Sequence, residues 1–207
     1  YIASTFSALS SVTQQIPILD GWYMFSTYLD VENPNIETVI NPLLSNTIII
    51  KNWQGDVFWP LVGINTIGDL VPGQGYQIKS SAPGTLELEG QLLSPQMPID
   101  MPGGWFLMSY LHQNSADAVD MMAPLADDLI IIKNWDGSVY WPLVNINTIG
   151  NMNPGEGYQI KTENPNIFVY PDIQTARFNF ENNEHVSSIY KKPINTGNNM
   201  IVGIPDE

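Results

Sequence analysis

An internal duplication is the sequence feature that most constrains the fold of this chain. Residues 48–79 read IIIKNWQGDVFWPLVGINTIGDLVPGQGYQIK, and residues 130–161 read IIIKNWDGSVYWPLVNINTIGNMNPGEGYQIK. The two segments are identical at 24 of 32 positions, at an offset of 82 residues. The chain is therefore predicted to contain two units of the same fold, because sequences this similar specify the same strands and turns.

Shared residues upstream extend each copy beyond that segment, since Trp22 corresponds to Trp105 and Tyr28 to Tyr110. The chain has 207 residues, which is enough for one large domain or two small ones. The predicted division has four parts: a linker or N-terminal strand (1–15), repeat 1 (16–90), repeat 2 (91–172), and the start of a further domain or an exchanged tail (173–207).

A short helix is predicted near the start of each repeat, where apolar residues recur at helical spacing. Asn33 and Ser115 are the predicted N-caps, because such side chains accept hydrogen bonds from the first free N–H groups. Pro42 and Pro124 fall inside the apolar stripes, so the helices are expected to be brief or broken there. The stripes consist of Ile36, Val39, Ile40, Leu43 and Leu44 in repeat 1, and of Ala118, Met121, Met122, Leu125 and Ala126 in repeat 2.

A β-hairpin is predicted after the helix in each repeat. Gln54-Gly55 and Asp136-Gly137 separate two β-rich runs, and Asp-Gly in that position is typical of a two-residue turn. Such a turn pairs Ile50 with Trp59 and gives the hairpin two faces. The predicted core face carries Ile48, Ile50, Val57 and Trp59, and the second face carries Ile49, Lys51, Trp53 and Phe58, with Ile131, Lys133, Trp135 and Tyr140 equivalent to these in repeat 2.

Turn chemistry at the other corners also favours a β fold. Pro72-Gly73 and Pro154-Gly155 suit the two central positions of a type II turn. The predicted fold is mainly β with one short helix per repeat, with an α+β arrangement as the alternative. We expect the two homologous β-rich subdomains to form a pseudo-symmetric pair, because a repeat of about 75 residues buries a limited core by itself.

The second hairpin face is the candidate ligand or partner site. One interpretation is structural: Trp53 and Trp135 stack against the partner repeat, a neighbouring loop or a lysine stem. The other interpretation is functional, because an aromatic ring next to lysine forms a platform for a sugar ring or for another protein chain. Trp22 and Trp105 follow glycine at a strand entry and are predicted to lie in the core. The candidate site residues are Lys51, Trp53, Phe58, Lys133, Trp135 and Tyr140.

Composition argues against several classes of function. The 21 acidic and 7 basic residues give a net charge of −14, which disfavours binding to nucleic acids and to anionic membranes. No apolar run approaches the roughly 18 residues of a membrane span. Cysteine is absent, which excludes disulfides and thiolate chemistry. His112 and His185 are isolated, and no hydrolase, nucleotide or zinc motif occurs, so we predict no catalytic residue, no cofactor and no metal site.

The segments GWYMFSTYL, IIIKNWQGDVFWP and INTIG…PGQGYQIK resemble a repeat pair of large secreted proteins from Bacteroidetes-type marine bacteria. In that family a GW…FSTY repeat precedes a GW…GYL repeat. The tail TGNNMIVGIP (196–205) resembles the opening of the domain that follows the pair. The resemblance implies a multidomain protein at the cell surface or released from it, often exported by the type IX secretion system. It implies no catalytic role.

The predicted function is that of a non-enzymatic structural or adhesive module of a secreted cell-surface protein or extracellular assembly. Its expected partners are other protein chains or neighbouring domains of the same polypeptide, in an extracellular or cell-surface location. Self-assembly into a filament is a further hypothesis, in which residues 1–15 and 173–207 add strands to neighbouring subunits. Two alternatives remain: a carbohydrate-binding module that holds glycans on the hairpin tryptophans, and a viral or phage appendage protein.

Overall fold

Each repeat folds around a five-stranded antiparallel sheet with a smaller sheet beside it. The computed structural model describes residues 10–173, so the predictions for the tail after Ile173 and for residues 1–9 lie outside the described residues. Both repeats belong to one unit, Tyr1–Ile173. Repeat 1 contains β1 (Val12–Ile18), β2 (Gly21–Phe25), β3 (Leu29–Val31), α1 (Ile36–Ile40), β4 (Thr47–Lys51), β5 (Val57–Trp59), β6 (Ile64–Asn65), β7 (Tyr76–Ser80) and β8 (Gly84–Leu92).

Repeat 2 has the same five-stranded sheet as repeat 1. The strands outside that sheet are shorter in repeat 2 or pair differently. The five-stranded sheets have the orders β2-β7-β4-β5-β6 and β10-β16-β12-β13-β14, so equivalent strands occupy equivalent places. Its elements are β9 (Ile99–Met101), β10 (Gly104–Ser109), β11 (Ala116–Asp117), α2 (Ala118–Met122), β12 (Leu129–Lys133), β13 (Val139–Trp141), β14 (Ile146–Asn147), β15 (Asn151–Met152), β16 (Gly157–Thr162) and β17 (Asn166–Phe168). The prediction of a mainly β fold with short helices is confirmed.

The smaller sheets differ in length between the repeats. In repeat 1, β8 pairs with β1 on one side and β3 on the other. In repeat 2 the corresponding sheet has two strands, β9 and β17, which pair over three residues, and β11 and β15 form a separate two-residue pair. Strand β1 starts at Val12, four residues before the predicted boundary of repeat 1 at residue 16. The last residues of the segment 1–15 are therefore strand rather than linker.

Both helices end where the prolines predict. The α-helix α1 ends at Ile40, and the 3-10 helix Asn41–Leu43 continues the chain, because Pro42 cannot donate to the helical ladder. The predicted N-caps are wrong by two residues. Asn35 and Asp117 cap the helices, accepting hydrogen bonds from the N–H groups of Glu37 at 3.1 Å and Val119 at 2.8 Å. The N–H of Ile36, the first helical residue of repeat 1, donates to the carbonyl of Gly68 in the INTIG loop, and Ala118 donates in the same way to Gly150 in repeat 2. These hydrogen bonds to a distant loop fix the residue at which each helix begins.

The hairpin has a three-residue turn, which shifts the predicted register by one residue. Ile50 pairs with Phe58 rather than with Trp59. A two-residue type I′ turn needs positive φ at both central residues, but of Gln54 and Gly55 only the glycine has one, at 93°. The Asn52 side chain stabilises the longer turn by accepting hydrogen bonds from the N–H groups of Gln54 (3.0 Å) and Asp56 (2.9 Å).

This one-residue shift exchanges the two faces of β5 relative to β4, so that Phe58 and not Trp59 shares the face of Ile50. Phe58, predicted on the outer face, is only 5% exposed, and Trp59, predicted in the core, is 38% exposed. Ile50 lies in the core as predicted, whereas Ile48 is exposed. The repeat 2 hairpin makes the same three-residue turn, with Gly137 at a φ of 90°.

Candidate functional site

The two repeats join through the ends of equivalent strands. The N–H of Gly75 donates to the carbonyl of Leu107 at 2.8 Å, and the N–H of Ser109 donates to the carbonyl of Gly73 at 3.1 Å. In the reciprocal contact, the N–H of Ser26 donates to the carbonyl of Gly155 at 2.9 Å. Each Pro-Gly turn therefore forms backbone hydrogen bonds with the other repeat, and these bonds set the relative position of the two sheets.

A tyrosine hydroxyl accepts a hydrogen bond from the backbone of each of these turns. The N–H of Val71 donates to the Tyr76 hydroxyl at 2.8 Å, and the N–H of Asn153 donates to the Tyr158 hydroxyl at 2.7 Å. Burial raises the pKa of Tyr76 to about 12, and burial together with the negative charge of Glu156 raises the pKa of Tyr158 further. Both hydroxyls therefore stay protonated and can accept and donate hydrogen bonds at neutral pH.

The hairpin tryptophans cross from one repeat to the other. The ring of Trp135 lies 5.2 Å from the ring of Tyr23, and the ring of Trp53 lies 5.4 Å from that of Phe106, between ring centroids. Positions 23 and 106 are equivalent, so the two contacts are related by the repeat. This is the stacking on the partner repeat that the structural interpretation describes, and both indoles are half-buried by it.

The other predicted site residues are divided between the core and the surface. Phe58 packs in the core of repeat 1 and Tyr140 is half-buried. Lys51 and Lys133 are half-buried, and their ammonium groups do not lie over the hairpin tryptophans Trp53 and Trp135 of the described chain. Their ammonium groups lie instead over the rings of Trp22 and Trp105.

Trp22 and Trp105 are exposed, so the prediction that they lie in the core is wrong. Their side chains are 46% and 40% exposed. Side chains alternate along β2, and Tyr23 and Phe25 point inward, where they are buried. Trp22 therefore lies on the outer face of the strand. The glycine before each tryptophan has a positive φ, at 81° for Gly21, and starts the strand with the tryptophan on its outer face.

Two lysines flank each of these exposed tryptophans. Lys51 and Lys79 place their Nζ atoms 5.1 Å and 5.8 Å from the centroid of the Trp22 ring. The arrangement follows from the sheet order, because Trp22 on β2 pairs with Lys79 on β7, and β7 also pairs with β4, which carries Lys51. We call this cluster the repeat 1 Trp–Lys–Lys site.

Repeat 2 reproduces the site with closely similar distances. Lys133 and Lys161 place their Nζ atoms 4.8 Å and 5.6 Å from the centroid of the Trp105 ring. Trp105 pairs with Lys161 across β10 and β16. Six side chains thus form two Trp–Lys–Lys sites, and a cation above an indole face is an attractive arrangement of about 0.5–1 kcal/mol on an exposed surface.

The charge distribution around these sites is unusual for so acidic a chain. Lys51, Lys79, Lys133 and Lys161 are the lysines of residues 10–173, a stretch without arginine. Within this stretch no carboxylate lies at ion-pair distance from any of the four. All the lysine charge of the described chain is therefore concentrated at two aromatic surfaces and is not neutralised by a neighbouring acid.

Trp135, which contacts Tyr23 of repeat 1, also lies beside the repeat 1 Trp–Lys–Lys site. A cavity of about 70 Å³ beside Trp22 is lined by Tyr23, Met24, Gln77 and the indole of Trp135. The Nε1 of Trp135 donates to Glu156 at 3.3 Å, which holds the indole in place. Repeat 2 thereby supplies one wall of the surface beside the repeat 1 site.

A second exposed tryptophan occurs in each repeat, on β5 and on β13. Trp59 and Trp141 are each 38% exposed, and the loops that follow them present Leu61 and Leu143, which are 89% and 86% exposed. Within residues 10–173, neither Trp59 nor Trp141 has a lysine over its ring. These tryptophans are natural controls for the Trp–Lys–Lys sites, because they match them in exposure but not in charge.

The sequence prediction named Lys51 and Lys133 as candidate site residues but did not name the other four residues of the two sites. Lys79 and Lys161 end the GYQIK segment, where Gln and Lys alternate with Tyr and Ile. This period of two indicates a strand with one polar face, and it was the signal that could have indicated an outward lysine. Trp22 and Trp105 were missed because a tryptophan within an apolar run is typical of a core position.

His112 lies inside repeat 2, among aromatic rings. Its side chain is 5% exposed, its ring centroid lies 5.6 Å from those of Tyr110 and Tyr170, and its Nε2 has no hydrogen-bond partner within residues 10–173. Burial lowers the pKa of His112, although a hydrogen bond with the Pro171 backbone and the negative charge of Asp172 act in the opposite direction. The imidazole is therefore neutral in the folded protein at pH 7.

We expect the folded state to lose stability as the pH falls below about 6.5, the ordinary pKa of histidine. The unfolded chain then binds a proton that the buried His112 resists, so the free energy of unfolding decreases with falling pH. Urea denaturation at about pH 7.5 and about pH 5.5, on either side of that pKa, measures this decrease. In His112→Phe the difference between the two pH values should be smaller, and equal differences in both proteins would contradict the assignment.

Comparisons with protein-family models, with curated proteins and with solved structures gave no match. Within residues 10–173, neither helix has the length and apolar character needed to cross a bilayer. The same residues contain no group of three or more His, Asp or Glu side chains arranged to hold a metal ion. The candidate site is accordingly defined by its own geometry: two aromatic surfaces, each with two ammonium groups that no carboxylate of the described chain pairs with.

Proposed function

We propose that this chain is a non-enzymatic structural or adhesive module of a secreted cell-surface protein or extracellular assembly. The observation that carries the proposal is the duplicated Trp–Lys–Lys site on a pair of interlocked repeats. An exposed indole offers a ligand a flat apolar face, and the two lysines beside it offer ammonium groups that attract an anion. The chemistry of the site is therefore that of binding.

The interlocked backbone supports an adhesive role. The hydrogen bonds of Gly75, Ser109 and Ser26 across the repeats keep the two sites at a constant separation. Two sites at a constant separation on one chain increase the strength of attachment to a repetitive surface, because the second contact forms at a high effective concentration. Cell-surface attachment under flow is a task that uses this property.

Bead detachment in a flow chamber tests the proposal. Beads that carry the full chain are expected to stay on at least one surface of a panel of bacterial extracellular matrices, polysaccharides and proteins, at shear that removes beads carrying an inert acidic protein. The double variant Trp22→Ala/Trp105→Ala should detach like the inert control. Trp59→Ala/Trp141→Ala, which removes similarly exposed indoles, should stay attached.

Two outcomes would contradict the adhesive role. Wild-type beads that detach from every surface as readily as the inert control would show that the chain does not adhere. Equal loss of adhesion in the two double variants would show that exposed tryptophan in general, and not the Trp–Lys–Lys site, is responsible. Urea denaturation of each variant establishes that it is folded before the flow measurement.

A further inference from the structure

We propose that each Trp–Lys–Lys site binds an acidic sugar residue of a carboxylated polysaccharide, a polymer of uronic acids. The inference rests on the proposed function and names the ligand class of the same two sites. Repeat 1 contributes Trp22, Lys51 and Lys79. The equivalent residues Trp105, Lys133 and Lys161 form the site of repeat 2.

The side chains of each site match the two chemical surfaces of a uronic acid. A pyranose ring presents flat apolar C–H faces, which pack on an exposed indole, and a uronate adds one carboxylate at the edge of that ring. Both lysines place Nζ over the Trp22 ring, at 5.1 Å and 5.8 Å from its centre. A sugar that packs on the indole displaces an ammonium group from the ring face, and the carboxylate at the edge of the sugar is then within reach of that group. Indole and ammonium then contact the same residue of the polymer.

Charge complementarity favours an anionic ligand over a neutral one. The four lysines of the described chain all lie at these two sites, although acidic residues outnumber basic ones 21 to 7 in the whole sequence. A neutral sugar needs the indole alone, and the similarly exposed Trp59 and Trp141 provide indoles without lysines in the described chain. The ammonium groups beside Trp22 and Trp105 add attraction for a carboxylate, and this attraction weakens as salt screens it.

The flat ring surface favours a sugar over an acidic peptide. A run of aspartate or glutamate side chains offers carboxylates on flexible stems and has no rigid apolar face to cover the indole. Trp22 and Trp105 are 46% and 40% exposed, so each presents apolar surface that a ligand can cover. A uronate covers this surface and pairs with lysine at the same time.

Calorimetric titration of the full chain with polygalacturonate and with short oligogalacturonates tests the inference. We expect polygalacturonate to bind more tightly than the oligomers, because a long polymer reaches both sites. Trp22→Ala/Trp105→Ala and Lys79→Gln/Lys161→Gln should each weaken binding by about tenfold or more. Trp59→Ala/Trp141→Ala should bind like the wild type, and raising the salt from about 50 mM to about 500 mM should weaken binding.

Neutral galactan, poly-glutamate and a sulfated polysaccharide complete the design. The inference is overturned if polygalacturonate does not bind, if galactan binds equally well, or if poly-glutamate or the sulfated polymer binds more tightly. It is also overturned if the Trp59→Ala/Trp141→Ala variant loses as much affinity as the site variants. Beads that adhere to another surface while polygalacturonate fails to bind would leave the adhesive function standing and remove only this ligand.

Discussion

Replacing Gly157 with alanine is expected to lower the free energy of unfolding by about 3 kcal/mol. A Cβ atom at this position would lie 2.7 Å from the carbonyl oxygen of Phe25, in the other repeat. The oxygen belongs to the backbone of β2, which the sheet holds on its other side, so it cannot move without separating the repeats. The equivalent Gly75 would place a Cβ 2.9 Å from the carbonyl oxygen of Met108, and we expect a similar loss for Gly75→Ala.

Gly137→Ala is the matched control for this prediction. Gly137 lies at the tip of the repeat 2 hairpin, where an added Cβ atom would meet no other atom within 4 Å. Alanine there lowers the free energy of unfolding only because its side chain disfavours the positive φ of this position, by about 1 kcal/mol. Urea denaturation measures all three variants. A loss at Gly157 no larger than the loss at Gly137 would mean that the repeats can move apart freely, and the interlocked description would be wrong.

The two equivalent serines of the repeat junction are expected to respond in opposite ways to alanine. The buried Ser26 hydroxyl accepts a hydrogen bond from the N–H of Tyr110 at 3.2 Å and donates to the carbonyl of Glu156. Ser26→Ala leaves these two backbone groups of repeat 2 without their partner. We expect the free energy of unfolding to decrease by about 2 kcal/mol.

Ser109 occupies the same position in repeat 2, but its hydroxyl is buried without a hydrogen-bond partner in the part of the chain that the structure describes. Its backbone N–H and carbonyl are bonded to Gly73 and Tyr170, and alanine keeps both bonds. Ser109→Ala is therefore expected to leave stability unchanged or to raise it by up to about 1 kcal/mol. Equal losses at Ser26 and Ser109 in thermal or urea denaturation would contradict this asymmetry.

Local signals in the sequence predicted the fold class and several of its turns correctly. Pro42 predicted the end of α1, and Pro72-Gly73 predicted a type II turn, in which Gly73 has a φ of 84° and the N–H of Gln74 donates to Val71 at 3.1 Å. These features depend on one or two residues whose backbone preferences act within a few positions. They are therefore readable without knowledge of the rest of the chain.

The hairpin register was not readable in the same way. Gln54-Gly55 is compatible with a two-residue turn and with a three-residue turn, and the two differ by one residue in pairing. The hydrogen bonds of the Asn52 side chain to Gln54 and Asp56 favour the longer turn. Because side chains alternate along a strand, this single step moved Phe58 into the core and Trp59 to the surface.

The candidate site also combines one residue that local sequence could place with another that it could not. Lys51 was predicted on the face of its strand opposite Ile50, and in the structure Ile50 is buried and Lys51 is half-buried, because side chains alternate along β4. Its partner Trp22 lies 29 positions earlier, on a strand that reaches Lys51 only through β7. No local pattern specifies that three such strands lie side by side.

The sequence by itself determined that the chain contains two copies of one β-rich unit, with short helices and defined turns. Only the tertiary structure decided which tryptophans cross between the copies and which stay in solvent beside lysines. The reason is that repeat identity and turn preference are properties of short segments. The exposure of Trp22 or Trp135, in contrast, depends on which strands pair and on how one repeat packs against the other, and those contacts join residues far apart in the chain.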